Sequence, residues 1–250
     1  MKLAIWQTHP RHDVDQALAD LAAAVRAADA DLFVTPEMYL GGYNVGAGRI
    51  AELARSAPDV GAIARATGTT IVCGLASAGR DKPYNSAAVF GRDGTEVARY
   101  HKTHLFGDLD KSQFDAGPCL PPVFALGEWT VGLAICYDIE FPETARHLAQ
   151  AGADLIVVPT ANMAPFDSVP TRLVPARAEE NEVYVAYANY IGAEGDLIYG
   201  GLSCICGPDG NDVVRAMGEA EILTATLDLG AIAAHRALVN HQRDRRADLY

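Results

Sequence analysis

Three residues of this chain follow short apolar runs in the way that reactive side chains do. Glu37 comes directly after DLFVTP, Lys102 after EVARYH, and Cys136 after the apolar run 131–135. A thiol that attacks an unreactive carbonyl, such as an amide, has three needs. It must lose its proton to a base, the oxygen of the tetrahedral intermediate must be stabilised, and the departing amine must gain a proton. A carboxylate can shuttle the proton, and a lysine ammonium with a backbone N–H just past the cysteine can hold the oxyanion. Taken singly each residue has a bland reading: a small buried hydrophobe for the cysteine, a turn residue for the glutamate, a solvated strand-end charge for the lysine. Jointly they supply the complete set.

The elements that must position them read from the periodicity. Residues 2–8 and 31–35 are strands, and 14–28 is an amphipathic helix with Leu18, Leu21, Val25 and Ala28 on one face. A helical stretch runs to about residue 67 and a strand covers 69–75. Strands 84–91 and 96–102 are joined by Asp93-Gly94, a hairpin signal, and Asp209-Gly210 joins 203–206 to 213–216 in the same way. The stretch 107–122 reads as a loop. After the cysteine strand, Pro142 and Glu143 open a helix, followed by strand 154–159, a helix over 171–182 broken or begun near Pro175, strands 183–189 and 222–227, and a short helix with a charged tail. About a dozen strands exceed one ordinary open sheet, so the fold class is α/β with two mixed sheets packed face to face and helices outside. Glu37, Lys102 and Cys136 then all stand at carboxyl ends of strands, where ligand crevices form in α/β sheets.

The segments PEMYLGGY, YHKTHLFG and AICYDIEFPE resemble the three signature segments of the nitrilase superfamily, the carbon-nitrogen hydrolases; VVPTANM, RAEENEVYVAYAN, GLSCICGPDG and DRRADLY agree further. The resemblance covers essentially all of residues 1–250, read as one domain. It implies a four-layer αββα sandwich, a homodimer or higher homo-oligomer paired through outer helices, Glu37 as general base, Lys102 as oxyanion lysine, Cys136 as nucleophile, and the Tyr137 N–H completing the oxyanion hole. A second glutamate is common in the family's loop after the lysine. Here Asp110 is best placed, a departure that shortens the side chain by one methylene. Tyr43 and Asn162 are expected pocket residues by position. Arginine often follows the nucleophile in branches acting on carboxylate-bearing substrates, whereas this chain has Asp138 and Glu140, which points to a neutral or amine-bearing carboxamide. An amidase is expected; a nitrilase, an N-carbamoyl amide hydrolase and a catalytically silent scaffold of the same fold stay open as alternatives.

Composition narrows the partners. The formal net charge is −12 and half the residues are hydrophobic, which disfavours nucleic acid and anionic membrane surfaces and leaves a small-molecule amide as the expected partner. The start, MKLAIWQTHP, reads as a first strand, neither signal peptide nor membrane span. Five cysteines without scaffold spacing point to reduced thiols in the cytoplasm. Cys73, Cys119, Cys204 and Cys206 read as packing or loop residues, His101 and His104 lack a third metal ligand, and no cofactor or metal is expected.

Overall fold

The structure, a computed structural model, describes residues 1–56, 58–239 and 241–249. Five strands come first: β1 (Lys2–Gln7), β2 (Leu32–Val34), β3 (Thr70–Ser77), β4 (Tyr84–Phe90) and β5 (Glu96–His101). The second half contributes β6 (Val123–Leu126), β7 (Trp129–Leu133), β8 (Leu155–Pro159), β9 (Tyr184–Ala188), β10 (Ile191–Glu194), β11 (Leu197–Gly200), β12 (Cys204–Cys206), β13 (Asp212–Arg215) and β14 (Glu221–Thr226). One six-stranded sheet has the order β14-β1-β2-β3-β4-β5 and the other β13-β12-β9-β8-β7-β6, with β10 and β11 forming a separate hairpin. Each sheet has a parallel heart, β1 to β3 and β7 to β9, flanked by antiparallel strands.

Strand alternation sends successive side chains to opposite faces, and that divides the hydrophobic residues into three layers of contact. Leu3, Ile5, Val34 and Val72 from the first sheet meet Val131, Leu133, Leu155 and Val157 from the second. On the outer face of the first sheet, Phe33, Ile71 and Cys73 pack under α1 (Val14–Ala28) and α2 (Val60–Thr67) through Leu21, Val25 and Ala64. On the outer face of the second, Ile156, Val158 and Val185 pack under α3 (Pro142–Gln150) and α4 (Val174–Asn181) through Leu148 and Val174. Helix, sheet, sheet, helix is the four-layer αββα sandwich.

Helix α1 has the bounds the periodicity gives, with Asp13 capping it by accepting from the Gln16 N–H at 2.9 Å. Other stretches differ. Residues 107–113, read as loop, form a helical turn that buries Asp110 and Gln113. The helical stretch before residue 67 is two helices, the first over Ala47–Leu53. Strand β6 and the β10–β11 hairpin escape the pattern reading. Among the described residues no helix is long and apolar enough to cross a membrane.

Candidate active site

Three strands of two sheets deliver the reactive residues to one place. Strand β5 runs antiparallel to β4, which runs antiparallel to β3, so β2 and β5 end on the same edge of the first sheet. Lys102 follows β5 directly, and its N–H donates to the Asn85 carbonyl at 2.8 Å. Beyond β2, the Thr35 hydroxyl accepts from the Gly74 N–H at 3.0 Å, and the chain turns sharply, with Met38 at φ 50°. Gly74 is required here: a Cβ on it would lie 2.3 Å from the Pro36 carbonyl oxygen and 2.6 Å from the Met38 nitrogen. The Glu37 N–H reaches across the sandwich to the Thr160 carbonyl at 3.2 Å, just past β8. Thus the loop that carries the acid is tied to the second sheet.

Cys136 stands three residues beyond β7 and opens a single 3-10 turn over Cys136–Glu140. Its φ of 46° lies in the left-handed region, which is uncommon outside glycine and is held only where surrounding contacts over-determine it. Asp138 supplies those contacts. Its buried carboxylate accepts from the Ile135 N–H (3.1 Å), the Tyr100 hydroxyl (2.9 Å), the His104 N–H (3.0 Å) and His104 Nδ1 (2.8 Å). Asp138 therefore fastens the nucleophile's turn to the segment around Lys102. That corrects the sequence expectation that Asp138 helps read the substrate: all of its acceptor capacity goes to the protein. It also engages His104, whose ring stacks on Phe141 at 4.0 Å, while His101 bonds Ser86 and stacks on Tyr84.

At the floor of the site, Glu37, Lys102 and Asp110 are fully buried. Lys102 Nζ lies 2.7 Å from Glu37 Oε1 and 2.7 Å from Asp110 Oδ2. Asn85 Nδ2 donates to Glu37 Oε1 at 2.6 Å, whereas Glu37 Oε2 has no partner among the described residues. The shorter aspartate reaches the lysine because its helical turn is drawn in. Asp110 Oδ2 also accepts from the Phe106 N–H at 2.9 Å and Oδ1 from the Tyr43 hydroxyl at 2.7 Å. Tyr43, expected as a pocket residue, is itself buried against this acid, with Lys102 Nζ 5.7 Å from its ring centre. Asn162 donates to the Phe166 carbonyl at 3.2 Å and is gripped through its backbone by Asn189. Asn85 was not anticipated; its signal is a buried polar pair, Asn85 and Ser86, at the start of a strand that ends in the apolar run 87–90.

The electrostatics follow from burial. Burial raises the Glu37 carboxyl above the usual carboxylate range; Lys102 offsets part of the rise and the Asp110 charge adds to it. Burial works against the Lys102 ammonium, but Asp110 and Glu37 outweigh it and hold the lysine well above its usual value. Burial pushes the Cys136 thiol up, the Glu37 charge pushes it further, and Lys102 pulls down without cancelling them. The site thus combines a thiol and a carboxyl group that both hold their protons more tightly than usual. Helix starts leave their first N–H groups without intrahelical acceptors, and the Tyr137 N–H, one residue into the 3-10 turn, is such a donor.

Residues 2–237 match the family model described as Carbon-nitrogen hydrolase. The chain belongs to the carbon-nitrogen hydrolase family. Similar relatives of this hydrolase include the hydrolase in the pqqF 5′ region of Pseudomonas protegens, 46% identical over 100% of this chain and 90% of the relative. Another is an (R)-stereoselective amidase of Pseudomonas sp, 35% identical over 90% of this chain and 83% of the relative. Among solved structures, an amidase from Nesterenkonia sp. matches with a TM-score of 0.85 and 34% identity, over 100% of this chain and 94% of that one. A variant of the amidase from Nesterenkonia sp. AN1 shows covalent addition of the acetamide moiety of fluoroacetamide at the active site cysteine; it matches with a TM-score of 0.86 and 33% identity, over 100% and 95% of the two chains. This carbon-nitrogen hydrolase therefore has the fold of amidases whose chemistry runs through a cysteine.

Proposed function

We propose that this enzyme hydrolyses a small neutral or amine-bearing carboxamide to a carboxylate and ammonia through a thioester on Cys136. The observation that carries the reading is the buried Glu37–Lys102 contact together with a cysteine held in the left-handed region at the end of the neighbouring sheet's strand. Glu37, through its unpartnered Oε2, takes the Cys136 proton as the sulfur attacks the amide carbon. The oxyanion forms between Lys102 and the Tyr137 N–H; losing one such donor typically costs about a hundred- to a thousandfold in turnover. Glu37 then returns the proton to the departing ammonia, and water, activated by the same carboxylate, cleaves the thioester. Asp110 holds Lys102 in place and keeps it charged. The amidases among the relatives and the cysteine adduct in the similar solved structure support amides as the substrate class.

The reading extends to a cytoplasmic enzyme, in keeping with its five free thiols, and to a dimer or higher homo-oligomer, in keeping with the family's pairing through outer helices. The decisive assay is ammonia release from a panel of small amides, nitriles, N-carbamoyl compounds and amino-acid amides, with wild type and Cys136→Ala in parallel. Release from amides by wild type alone supports the proposal. Release from nitriles moves it to a nitrilase, and release by Cys136→Ala overturns it. Light scattering on the same preparation reads the assembly, and a monomer would contradict the dimer.

A further inference from the structure

Glu140 is the last residue of the 3-10 turn that Cys136 opens, and no step above uses it. In a turn of three residues, side chains three apart eclipse, so Glu140 stands on the same face as Tyr137. Arg177 fixes the backbone there, donating from Nε to the Ile139 carbonyl at 3.1 Å and from Nη2 to the Glu140 carbonyl at 2.7 Å. Its remaining charge goes to Glu180 at 3.1 Å. The Glu140 carboxylate is half-buried and has no hydrogen-bond or ion-pair partner among the described residues.

Aromatic rings cluster at the turn that carries it. Phe106 lies 5.3 Å from Tyr137 and 5.6 Å from Phe166, both edge to face, and Tyr137 lies 4.9 Å from Phe141. These rings come from the loop after Lys102, the nucleophile's turn and the loop after β8, so they converge at the strand ends that carry the site. Burial pushes the Tyr187 phenol up, Cys136 adds to the rise, Thr160 pulls against it and Glu140 adds a smaller push. Burial likewise raises the Glu140 carboxyl, against the pull of Lys102 and Arg177.

We propose that Glu140, unpartnered on the 3-10 turn that carries Cys136 and Tyr137, is the acyl-side subsite for a positively charged amine, so that the preferred substrates are carboxamides whose acyl group carries an ammonium. The inference rests on the amidase reading above and narrows it. A half-buried carboxylate without a partner is costly, and an ammonium group satisfies it with charge-assisted hydrogen bonds while its positive charge favours the ring faces. The wider field agrees. Glu37, Asp110 and Glu140 stand against Lys102 and against an Arg177 whose charge is already shared with Glu180, so the carboxylates outweigh the cations. An anionic acyl group would be repelled.

The test compares 4-aminobutanamide with pentanamide, which replaces the ammonium by a methyl group, and 3-aminopropanamide with butanamide, in wild type, Glu140→Gln and Glu140→Lys. Labelling of Cys136 by iodoacetamide, located by peptide mass apart from the exposed Cys119, gives the concentration of reactive sites, and a melting curve confirms that each variant is folded. The expected result is a wild-type preference in kcat/KM of roughly ten- to a hundredfold for an amino-amide, carried mainly by KM because the contact is the same in ground and transition states. Glu140→Gln should bring that ratio to within about threefold of unity, and Glu140→Lys should favour succinamate over pentanamide. Ratios near unity in wild type, or a preference that survives in Glu140→Gln, overturn the subsite and leave the amidase reading intact. Absence of Cys136-dependent ammonia release from all of these amides overturns both.

Discussion

Replacing Asp110 by asparagine removes one charge from the buried trio while keeping its shape, and the site geometry fixes the sign of the response. Glu37 and Asp110 each lie 2.7 Å from the same lysine nitrogen, so the two contacting oxygens cannot be farther apart than twice that, 5.4 Å. Two like charges at that distance repel by about 3 kcal/mol at an effective dielectric near 20, equivalent to about two pH units on the Glu37 carboxyl. In the wild type this repulsion adds to the rise caused by burial. Glu37 must be ionised to take the thiol proton, so kcat/KM should fall as the pH drops through a pKa above the usual carboxylate range. In Asp110→Asn the repulsion is gone and Lys102 has one carboxylate left to favour, and both changes lower the Glu37 pKa. The acidic limb of the kcat/KM profile should therefore move to lower pH by about one unit or more, allowing for relaxation. Turnover on the plateau should fall as Lys102 loses its second anchor, and breaking the buried pair should cost about 3 kcal/mol of stability. The assay is a pH series of ammonia release with a parallel melting curve. An acidic limb that stays in place or moves up would refute the charge arrangement.

Other perturbations test the scaffold around the trio. Gly74→Ala should reduce kcat/KM by about a hundredfold and lower the melting temperature, because the new methyl group meets the Pro36 carbonyl and displaces the loop carrying Glu37; near-normal activity would show that the loop yields without moving the acid. Asp138→Asn should leave at least one of four buried or half-buried donors unpaired, costing about 1–3 kcal/mol, and lower kcat more than it raises KM; unchanged stability would contradict its role as the fastening of the nucleophile's turn. Tyr43→Phe removes the hydroxyl bonded to Asp110 and should cost about 1–2 kcal/mol, measured by denaturant unfolding, with activity falling less than in Asp110→Asn.

Much of this site was legible because its parts stand where simple patterns end. The apolar runs that become β2, β5 and β7 deliver Glu37, Lys102 and Cys136 to strand ends, and the Asp-Gly turns mark two hairpins. What was not legible depends on tertiary charge and burial. GDLDKSQ has no apolar stripe, and it becomes a helical turn whose Asp110 is held by contacts from Lys102, Tyr43 and the Phe106 N–H. The β10–β11 hairpin has little alternation to read; Glu194 on it is buried by accepting from the Tyr43 and Asn44 N–H groups and the Tyr199 hydroxyl. Asp138 looked like a substrate reader because position after the nucleophile says nothing about where a side chain turns. The left-handed backbone of Cys136 has no sequence signal at all, since such strain is imposed by the contacts around it.

The central claim is that the amide carbon becomes bonded to Cys136 before water arrives. Rapid mixing with a slowly deacylating amide, acid quench within the first turnover, and intact-mass analysis alongside ammonia release test it directly. The account predicts a burst of ammonia equal to the concentration of sites and a protein species heavier by the acyl group in place of the Cys136 thiol hydrogen, both absent from Cys136→Ala. A full burst with no adduct, or ammonia release that persists in Cys136→Ala, would contradict it.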